Sequence, residues 1–149
     1  MKVELPDQAA TQRFGEVIAG ALQRGDIVAL SGGLGAGKTT LARAIIAALG
    51  YGGEVPSPTF SIIEVYEPPM LRLPLVHADF YRLDDPSEAA ELGLDDYLAD
   101  GALIAEWPEN AGGFSGDPAC LSIHFEIEDE SRFAIVEPGA SWLGREPCP

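Results

Sequence analysis

Short apolar runs and amphipathic helical segments alternate along the first two thirds of this chain. From Asp7, which suits the N-cap position, apolar side chains recur at helical spacing as far as Leu22. Residues 40–49 predict a second helix, closed by Gly50. Three apolar runs predict buried strands: residues 27–30, 73–78 and 102–105. Strands that alternate with helices in this order indicate parallel pairing within an α/β fold.

The rest of the pattern adds shorter or antiparallel elements. Residues 121–127 and 132–136 are expected to form a hairpin that turns at residues 129–131. Further short elements are expected as follows: strands at residues 3–5 and 60–66, and helices at residues 86–92 and 95–98. We therefore predict one domain over residues 1–149, with a mainly parallel sheet and added antiparallel strands. The tail at residues 145–149 is expected to fray.

A glycine-rich loop lies between the first apolar run and the second helix. Residues 32–39 read Gly-Gly-Leu-Gly-Ala-Gly-Lys-Thr, a complete G-x-x-x-x-G-K-T phosphate-binding sequence. Glycines allow successive backbone N–H groups to turn inward around a phosphate, and the N-terminus of the following helix adds its dipole. Strand, loop and helix in this order favour a nucleotide site over the alternative, a glycine-rich turn that only joins two core elements.

Lysine is rare in this chain, which makes its presence in the loop informative. Apart from Lys2, Lys38 is the only lysine among nine Lys and Arg residues. Its compact, mobile ammonium suits the outer phosphates of a nucleotide, and the hydroxyl of Thr39 suits Mg²⁺. The remaining loop positions expected to hold the nucleotide are Gly33, Leu34, Gly35, Ala36, Gly37 and Thr40.

Two carboxylates follow buried apolar runs, Asp79 after the second and Glu106 after the third. Ligands of open α/β sheets bind at the carboxyl ends of the strands, so both side chains are expected to converge on Mg²⁺ beside Thr39. An acid at this place alternatively orients an attacking water molecule. The structural alternative is that either acid caps the following turn or pairs with Arg82.

Neighbouring residues leave further alternatives open. His77 precedes Asp79 by two positions and faces the same side of the strand, where we expect a packed, hydrogen-bonded residue and no catalytic role. Arg82 either stabilises phosphate charge in a transition state or forms a structural ion pair. Trp107 is expected to pack in the core. The sequence lacks the N/T-K-x-D motif of guanine-specific loop proteins, which favours adenine.

Composition places the chain among ordinary soluble globular domains. Of its 149 residues, 46% are hydrophobic and 22% are charged, and no apolar run approaches the roughly 20 residues that span a bilayer. The N-terminus lacks an apolar signal segment, and Cys120 and Cys148 have no partner motif, so we expect a cytoplasmic protein. The formal net charge of −15 opposes free-standing binding to nucleic acid; it serves solubility or presents an acidic face to a basic partner.

Five motifs follow one another in a distinctive order. They are Gly35-Ala36-Gly37-Lys38-Thr39-Thr40, Ser57-Pro58-Thr59-Phe60, His77-Ala78-Asp79-Phe80-Tyr81-Arg82-Leu83, Glu91-Leu92-Gly93-Leu94 and Glu106-Trp107-Pro108. This order resembles that of the bacterial TsaE family, formerly YjeE, small ATPases needed for the N6-threonylcarbamoyladenosine modification of tRNA. The resemblance covers nearly the whole chain, from the helix that begins after Asp7 to Val136.

The resemblance implies a P-loop NTPase-like three-layer fold and an ATPase that works with Mg²⁺ and with the proteins TsaB and TsaD. Family members hydrolyse ATP weakly alone and faster in the complex. There, TsaD performs the threonylcarbamoyl transfer, and hydrolysis by TsaE resets or licenses cycling of the complex. tRNA is then reached only through the complex.

The resemblance also implies roles for individual residues. Lys38 and the loop amides hold the phosphates, whereas Thr39 and Glu106 hold Mg²⁺. Asp79 corresponds to a Walker B-like acid that positions water or supports the metal. Two further matches are a switch-like segment near the γ-phosphate, residues 57–60, and a position near the adenine, Thr11.

Two other functions fit a phosphate-binding loop. A small P-loop kinase usually needs an arginine-rich lid that closes over the donor nucleotide, and the arginines here are scattered along the chain. A nucleotide-sensing subunit, whose ATP state only sets its affinity for partners, differs from an ATPase in turnover alone. We therefore expect an accessory ATPase.

Overall fold

The computed structural model describes residues 1–33, 35–55, 63–69 and 71–147. The strands and helices within these ranges are β1 Lys2–Glu4, α1 Gln8–Ala21, β2 Ile27–Ser31, α2 Lys38–Ala48, β3 Ile63–Tyr66, β4 Leu75–Asp79, α3 Ser87–Ala90, α4 Leu94–Leu98, β5 Ala102–Glu106, β6 Cys120–Glu128 and β7 Ser131–Pro138. Two short 3-10 helices cover Pro108–Ala111 and Ala140–Trp142. Of the helices described, none is both long enough and apolar enough to cross a membrane.

The strands form one mixed sheet in the order β1-β7-β6-β2-β5-β4-β3. The four central strands, β6, β2, β5 and β4, are parallel to one another. Strand β7 is antiparallel to β6 and β1 is antiparallel to β7, while β3 adds an antiparallel edge beside β4. The prediction of a parallel centre with antiparallel additions, including the late hairpin, is confirmed.

Alternating side chains of the central strands divide the core between the two faces of the sheet. Val28 and Leu30 of β2 pack with α1 and α2 in one cluster of buried residues. Ile27 and Ala29, one position out of step, pack in the other cluster, to which α3, α4 and the Pro108–Ala111 helix contribute. Helices therefore cover both faces of the sheet, in three layers.

The first helix begins where the sequence predicts. A carboxylate oxygen of Asp7 accepts a hydrogen bond from the backbone N–H of Ala10 at 2.8 Å, which caps the helix N-terminus. Phe14 and Ile18 follow at helical spacing and are fully buried. Most other predicted elements are present with shifted ends: β4, for example, starts at Leu75. Of the strand predicted at residues 60–66, the first three residues lie outside the described ranges.

The C-terminal segment is anchored where we expected it to fray. The guanidinium of Arg145 binds both carboxylate oxygens of Asp26, at 2.6 and 2.7 Å. It also donates to the carbonyl of Ala21 at the C-terminal end of α1, at 2.8 Å. The expectation of fraying is therefore wrong at Arg145, because this side chain satisfies a buried carboxylate and an open helix end together. Cys148 and Pro149 lie outside the described residues.

Candidate functional site

The glycine-rich loop connects the central strand β2 to the N-terminus of α2. Gly32 has a φ of +134°, and a β-carbon there would lie 2.9 Å from the carbonyl oxygen of Phe125. Gly37, with a φ of +113°, immediately precedes the first residue of α2. Both positions need glycine, since a side chain would strain the backbone or collide with β6. The predicted loop position Leu34 lies outside the described residues.

Lys38 is held over the loop that precedes it. Although it is a lysine, it is only 5% exposed. Its ammonium donates to the carbonyl oxygens of Gly32 at 2.8 Å and Gly33 at 2.7 Å, and it lies 4.5 Å from the centre of the Trp107 ring. Burial lowers the pKa of Lys38, while the carboxylates of Glu106, Glu109 and Asp79 oppose that shift. An anion entering the loop would meet this ammonium.

The side chains of Thr39, in α2, and Glu106, at the end of β5, contact each other. The hydroxyl of Thr39, in the first turn of α2, donates to Oε1 of Glu106 at 2.8 Å. Glu106 is the last residue of β5 and is 2% exposed. Its other oxygen, Oε2, lies 2.6 Å from Nε2 of the fully buried His77. The structure brings Glu106 and Thr39 together, and it confirms the expectation of a packed, hydrogen-bonded His77.

The histidine fixes the carboxylate in one orientation. Nδ1 of His77 has no hydrogen-bond partner in the part of the chain that the structure describes. The contact to Glu106 is therefore the one hydrogen bond of this ring among the described residues, and it needs the proton of Nε2. Because one oxygen of the carboxylate binds His77, the other is left to face Thr39 and the loop.

Asp79 stands beside Glu106 in the parallel register of β4 and β5. Its Oδ1 accepts from the backbone N–H of Tyr81 at 2.9 Å, so it shapes the turn after β4 as one alternative proposed. Burial raises the pKa of Asp79, and nearby Glu106 adds to the shift, against the Tyr81 hydrogen bond. Asp79 also lines the same cavity as the loop. Asp79 therefore both shapes the turn after β4 and faces the loop cavity.

A cavity of about 300 Å³ joins these groups. Its lining consists of the loop and first turn of α2, the two acids, two aromatic residues and an arginine: Gly35, Ala36, Gly37, Lys38, Thr39, Thr40, Asp79, Tyr81, Glu106, Trp107 and Arg132. We call this the loop cavity. Arg82 is not among the described residues that line it. Gly33 contributes its carbonyl oxygen to Lys38.

Thr11 lies next to the loop cavity. It is 5% exposed, and its hydroxyl donates to the carbonyl of Asp7 at 3.4 Å. It lines a recess of about 230 Å³ that shares Thr40 and Arg132 with the loop cavity. We call this the Thr11 recess. The two spaces adjoin at these shared residues, one beside the start of α2 and one on β7.

Three residues that line the loop cavity were not predicted from the sequence as part of a site: Tyr81, Trp107 and Arg132. Trp107 packs against the second core cluster as expected, and its ring also faces Lys38 and lies 5.0 Å from that of Tyr81. Its φ of +56° turns the chain sharply after β5. Arg132 lies far along the chain, in the hairpin, where the local pattern does not connect it with the glycine loop. One signal for it exists: it is the only Lys or Arg between Arg82 and Arg145.

The loop cavity combines groups of positive potential with carboxylate oxygens. The N-terminus of α2, the loop amides and Lys38 supply positive potential. Asp79 and Glu106 line the same cavity and supply hard oxygen atoms, and Glu106 contacts the Thr39 hydroxyl. A strand, glycine loop and helix with acidic strand ends beside them are typical of nucleotide-binding α/β proteins.

Comparison with known proteins places the chain within one family of that class. The family model described as "Threonylcarbamoyl adenosine biosynthesis protein TsaE" matches residues 5–134. This match covers most of the chain, and the protein belongs to the TsaE family.

Individual relatives agree with this assignment. The tRNA threonylcarbamoyladenosine biosynthesis protein TsaE of Haemophilus influenzae is 34% identical over 134 residues, covering 86% of this chain and 83% of that protein. The protein of the same name from Streptomyces coelicolor is 46% identical over 99 residues, covering 66% of this chain and 67% of its own. The crystal structure of Bacillus subtilis YdiB superimposes with a TM-score of 0.71 at 27% identity, covering 95% of this chain and 88% of the YdiB chain.

Proposed function

We propose that this protein binds ATP with Mg²⁺ in the loop cavity and hydrolyses it as an accessory subunit of tRNA N6-threonylcarbamoyladenosine biosynthesis. The observation that carries the proposal is the contact between Thr39 and Glu106 within a cavity that also holds Lys38. These three groups supply the cation and oxygen ligands that Mg-ATP needs. The family membership and the names of the relatives support the pathway.

The residues present fit the phosphates and the metal. Lys38 would exchange its hydrogen bonds to the loop carbonyls for bonds to oxygens of the β- and γ-phosphates. Because its ammonium is already buried, nucleotide binding adds no further desolvation of this charge. The backbone N–H groups of the loop turn toward the same oxygens. Thr39 and Glu106 provide a hydroxyl and a carboxylate oxygen for Mg²⁺, which prefers one or two such ligands together with phosphate oxygens and water. When bound, Mg²⁺ neutralises charge that develops on the phosphates.

Asp79 is proposed to hold the attacking water. It lines the loop cavity next to Glu106, and its backbone-bonded oxygen leaves the other oxygen to accept from water. Burial that raises its pKa also makes it a better proton acceptor than an exposed aspartate. The Thr11 recess is proposed to take the adenine, since it adjoins the loop cavity on the side of Thr40.

The proposed partners are TsaB and TsaD, and the protein is proposed to work with them in the cytoplasm. Hydrolysis would then reset the TsaB–TsaD complex between rounds of tRNA modification. With a net charge of −15, the protein is repelled by RNA phosphates. We therefore propose that tRNA is met through the complex and not by this chain alone.

Steady-state hydrolysis tests the proposal. ATP turnover is measured for the purified protein alone, then with TsaB, TsaD and tRNA added, with Lys38→Ala as the inactive control. Slow turnover that rises on addition of the partners, and disappears in the variant, is the expected result. ATP binding without turnover in any mixture would instead establish a nucleotide-gated binding subunit. Phosphorylation of an added small molecule would establish a kinase.

A further inference from the structure

A second open space lies among the short helices on the other face of the sheet. It is a groove of about 520 Å³ between α3, α4 and the Pro108–Ala111 helix. It reaches Ile27 at the start of β2, whereas the glycine loop follows the end of that strand. No described residue lines both this groove and the loop cavity, so the two surfaces are separate. We call it the α3–α4 groove.

The floor of the α3–α4 groove is apolar and incompletely covered. Leu94 and Leu98 lie one turn apart on α4, and both pack against the second core cluster while they remain partly exposed. Phe114 lines the same groove and is also partly exposed. Helix α4 contains no buried residue, although it is rich in leucine. Covering these side chains with apolar groups of another molecule would therefore be favourable.

The charged residues that line the described part of the groove are all acidic. They are Asp95 and Asp96, on α4, and Asp117, and all three are exposed. None of them makes an ion pair with another residue that the structure describes. The segment between Arg82 and Arg132 holds more than half of the chain's 24 Asp and Glu residues and no lysine or arginine. The rim of the groove therefore carries a strong negative potential.

We propose that the α3–α4 groove is a docking surface for a basic amphipathic helix of a partner protein. Apolar side chains on one face of that helix would cover Leu94, Leu98 and Phe114, and its lysine or arginine side chains would meet the carboxylates of the rim. A neutral helix would desolvate those carboxylates without a counter-charge. Nucleic acid does not fit, because the rim repels its phosphates. A second copy of this chain does not fit either, since its net charge is −15.

The test uses a synthetic, helix-forming peptide of leucine and lysine, with the leucines along one face. Its affinity for the protein is measured by fluorescence anisotropy, and its position is mapped by NMR chemical-shift changes in the ¹⁵N-labelled protein. Ala90→Lys places a cation in the groove, since Ala90 lines it and is exposed at the end of α3. Ala48→Lys is the matched control, because Ala48 is the exposed last residue of α2, outside the groove. Both variants change the net charge equally.

A second peptide separates the apolar floor from the charged rim. It carries serine in place of each leucine and keeps the same charge. We expect the leucine–lysine peptide to bind and to shift the resonances of α4 and Phe114, and the serine peptide to bind at least about ten-fold more weakly. Ala90→Lys should weaken the leucine–lysine peptide by about ten-fold, and Ala48→Lys by less than about two-fold.

Three results would overturn the inference: no binding, equal affinity of the two peptides, or equal weakening by the two variants. The last two would show only a general attraction between opposite charges. If Ala90→Lys lowers the melting temperature, Asp95→Asn with Asp96→Asn replaces it, and Glu128→Gln with Asp129→Asn is then the control, since these acids are exposed outside the groove. The same limits apply to that comparison. The proposed ATP hydrolysis stands or falls separately, because the peptide is titrated without nucleotide.

Discussion

Nε2 of His77 and Oε2 of Glu106 lie 2.6 Å apart, and both side chains are almost completely removed from solvent. The pair links adjacent strands β4 and β5, and it fixes a carboxylate that would otherwise rotate away from Thr39. A buried carboxylate needs its hydrogen bonds, because an unsatisfied charge in the core is costly. His77 is therefore a positioning residue for the proposed Mg²⁺ ligand.

Replacing this histidine tests the relationship. His77→Ala leaves a cavity and removes a donor from Glu106, so we expect a loss of about 2–4 kcal/mol in the free energy of unfolding, measured with urea. We also expect a higher Mg²⁺ concentration for half-maximal ATP turnover. His77→Gln places an amide N–H near the former Nε2 and should recover part of both effects. Unchanged Mg²⁺ dependence in both variants would show that the histidine only fills space.

The ionised carboxylate of Asp79 is expected to lower the free energy of unfolding. Burial raises its pKa, so the folded protein binds this proton more tightly than the unfolded chain does. Ionised Asp79 therefore costs stability above the raised pKa, and the cost disappears as pH falls toward the ordinary value. Asp79→Asn, which can keep the bond from the Tyr81 N–H, should be more stable than wild type at neutral pH, with a smaller difference in acid. Denaturant unfolding at several pH values measures this.

The same variant should lose activity. If Asp79 holds the attacking water, Asp79→Asn lowers ATP turnover by about 100-fold while nucleotide affinity changes little. Asp84→Asn is the control for the change in charge, since Asp84 is exposed on the following turn. Equal losses of turnover and affinity at Asp79 would contradict the water-positioning role, and lower stability at neutral pH would contradict the sign of the pKa argument.

Much of this fold and site follows from local sequence. The strand, loop and helix around Lys38 combine an apolar run with glycines and a helical repeat, and each signal lies within a few residues of the next. The proximity of Asp79 and Glu106 could also be predicted, because parallel strands end at one edge of the sheet and these acids follow two buried runs. Local pattern and sheet topology are therefore enough to predict that such residues lie close together.

Other parts depend on contacts between distant segments. The hairpin brings Arg132 over Gly37 only because β6 pairs with β2, a pairing between strands far apart in the chain. The backbone turn at Trp107, with a φ of +56°, decides that its ring meets Lys38 as well as the core. The sequence around Arg145 predicts a frayed C-terminal segment, because its partner Asp26 lies near the other end of the chain and local pattern cannot connect the two. Periodicity carries no information on such pairings.

The contact of Arg145 with Asp26 should contribute strongly to stability. The Asp26 side chain is 3% exposed and the arginine 18%, so Arg145→Ala leaves a buried carboxylate without its charged partner. We expect the free energy of unfolding to fall by about 3 kcal/mol in a urea titration. Asp26→Asn combined with Arg145→Ala should lose less than the two single variants together, because it removes the uncompensated charge.

An exposed ion pair provides the control for that prediction. Arg24 lies 3.8 Å from Asp100, and both side chains are more than half exposed. Arg24→Ala should therefore change stability by less than about 0.5 kcal/mol. A similar effect for Arg24→Ala and Arg145→Ala would show that the C-terminal segment contributes little to the folded state.

Tryptophan fluorescence should report nucleotide binding at Trp107. The ring lies 4.5 Å from the Lys38 ammonium, whereas Trp142 is fully buried and donates to the carbonyl of Ala119 at 2.8 Å. Phosphates that draw Lys38 away from the ring change the field at the indole and so its emission. We expect Trp142→Phe, with Trp107 as its only tryptophan, to show a saturable change with Mg-ATP. Trp107→Phe should show none, and adding Lys38→Ala to Trp142→Phe should abolish the change. An equal response in Trp107→Phe would place the nucleotide away from the loop cavity.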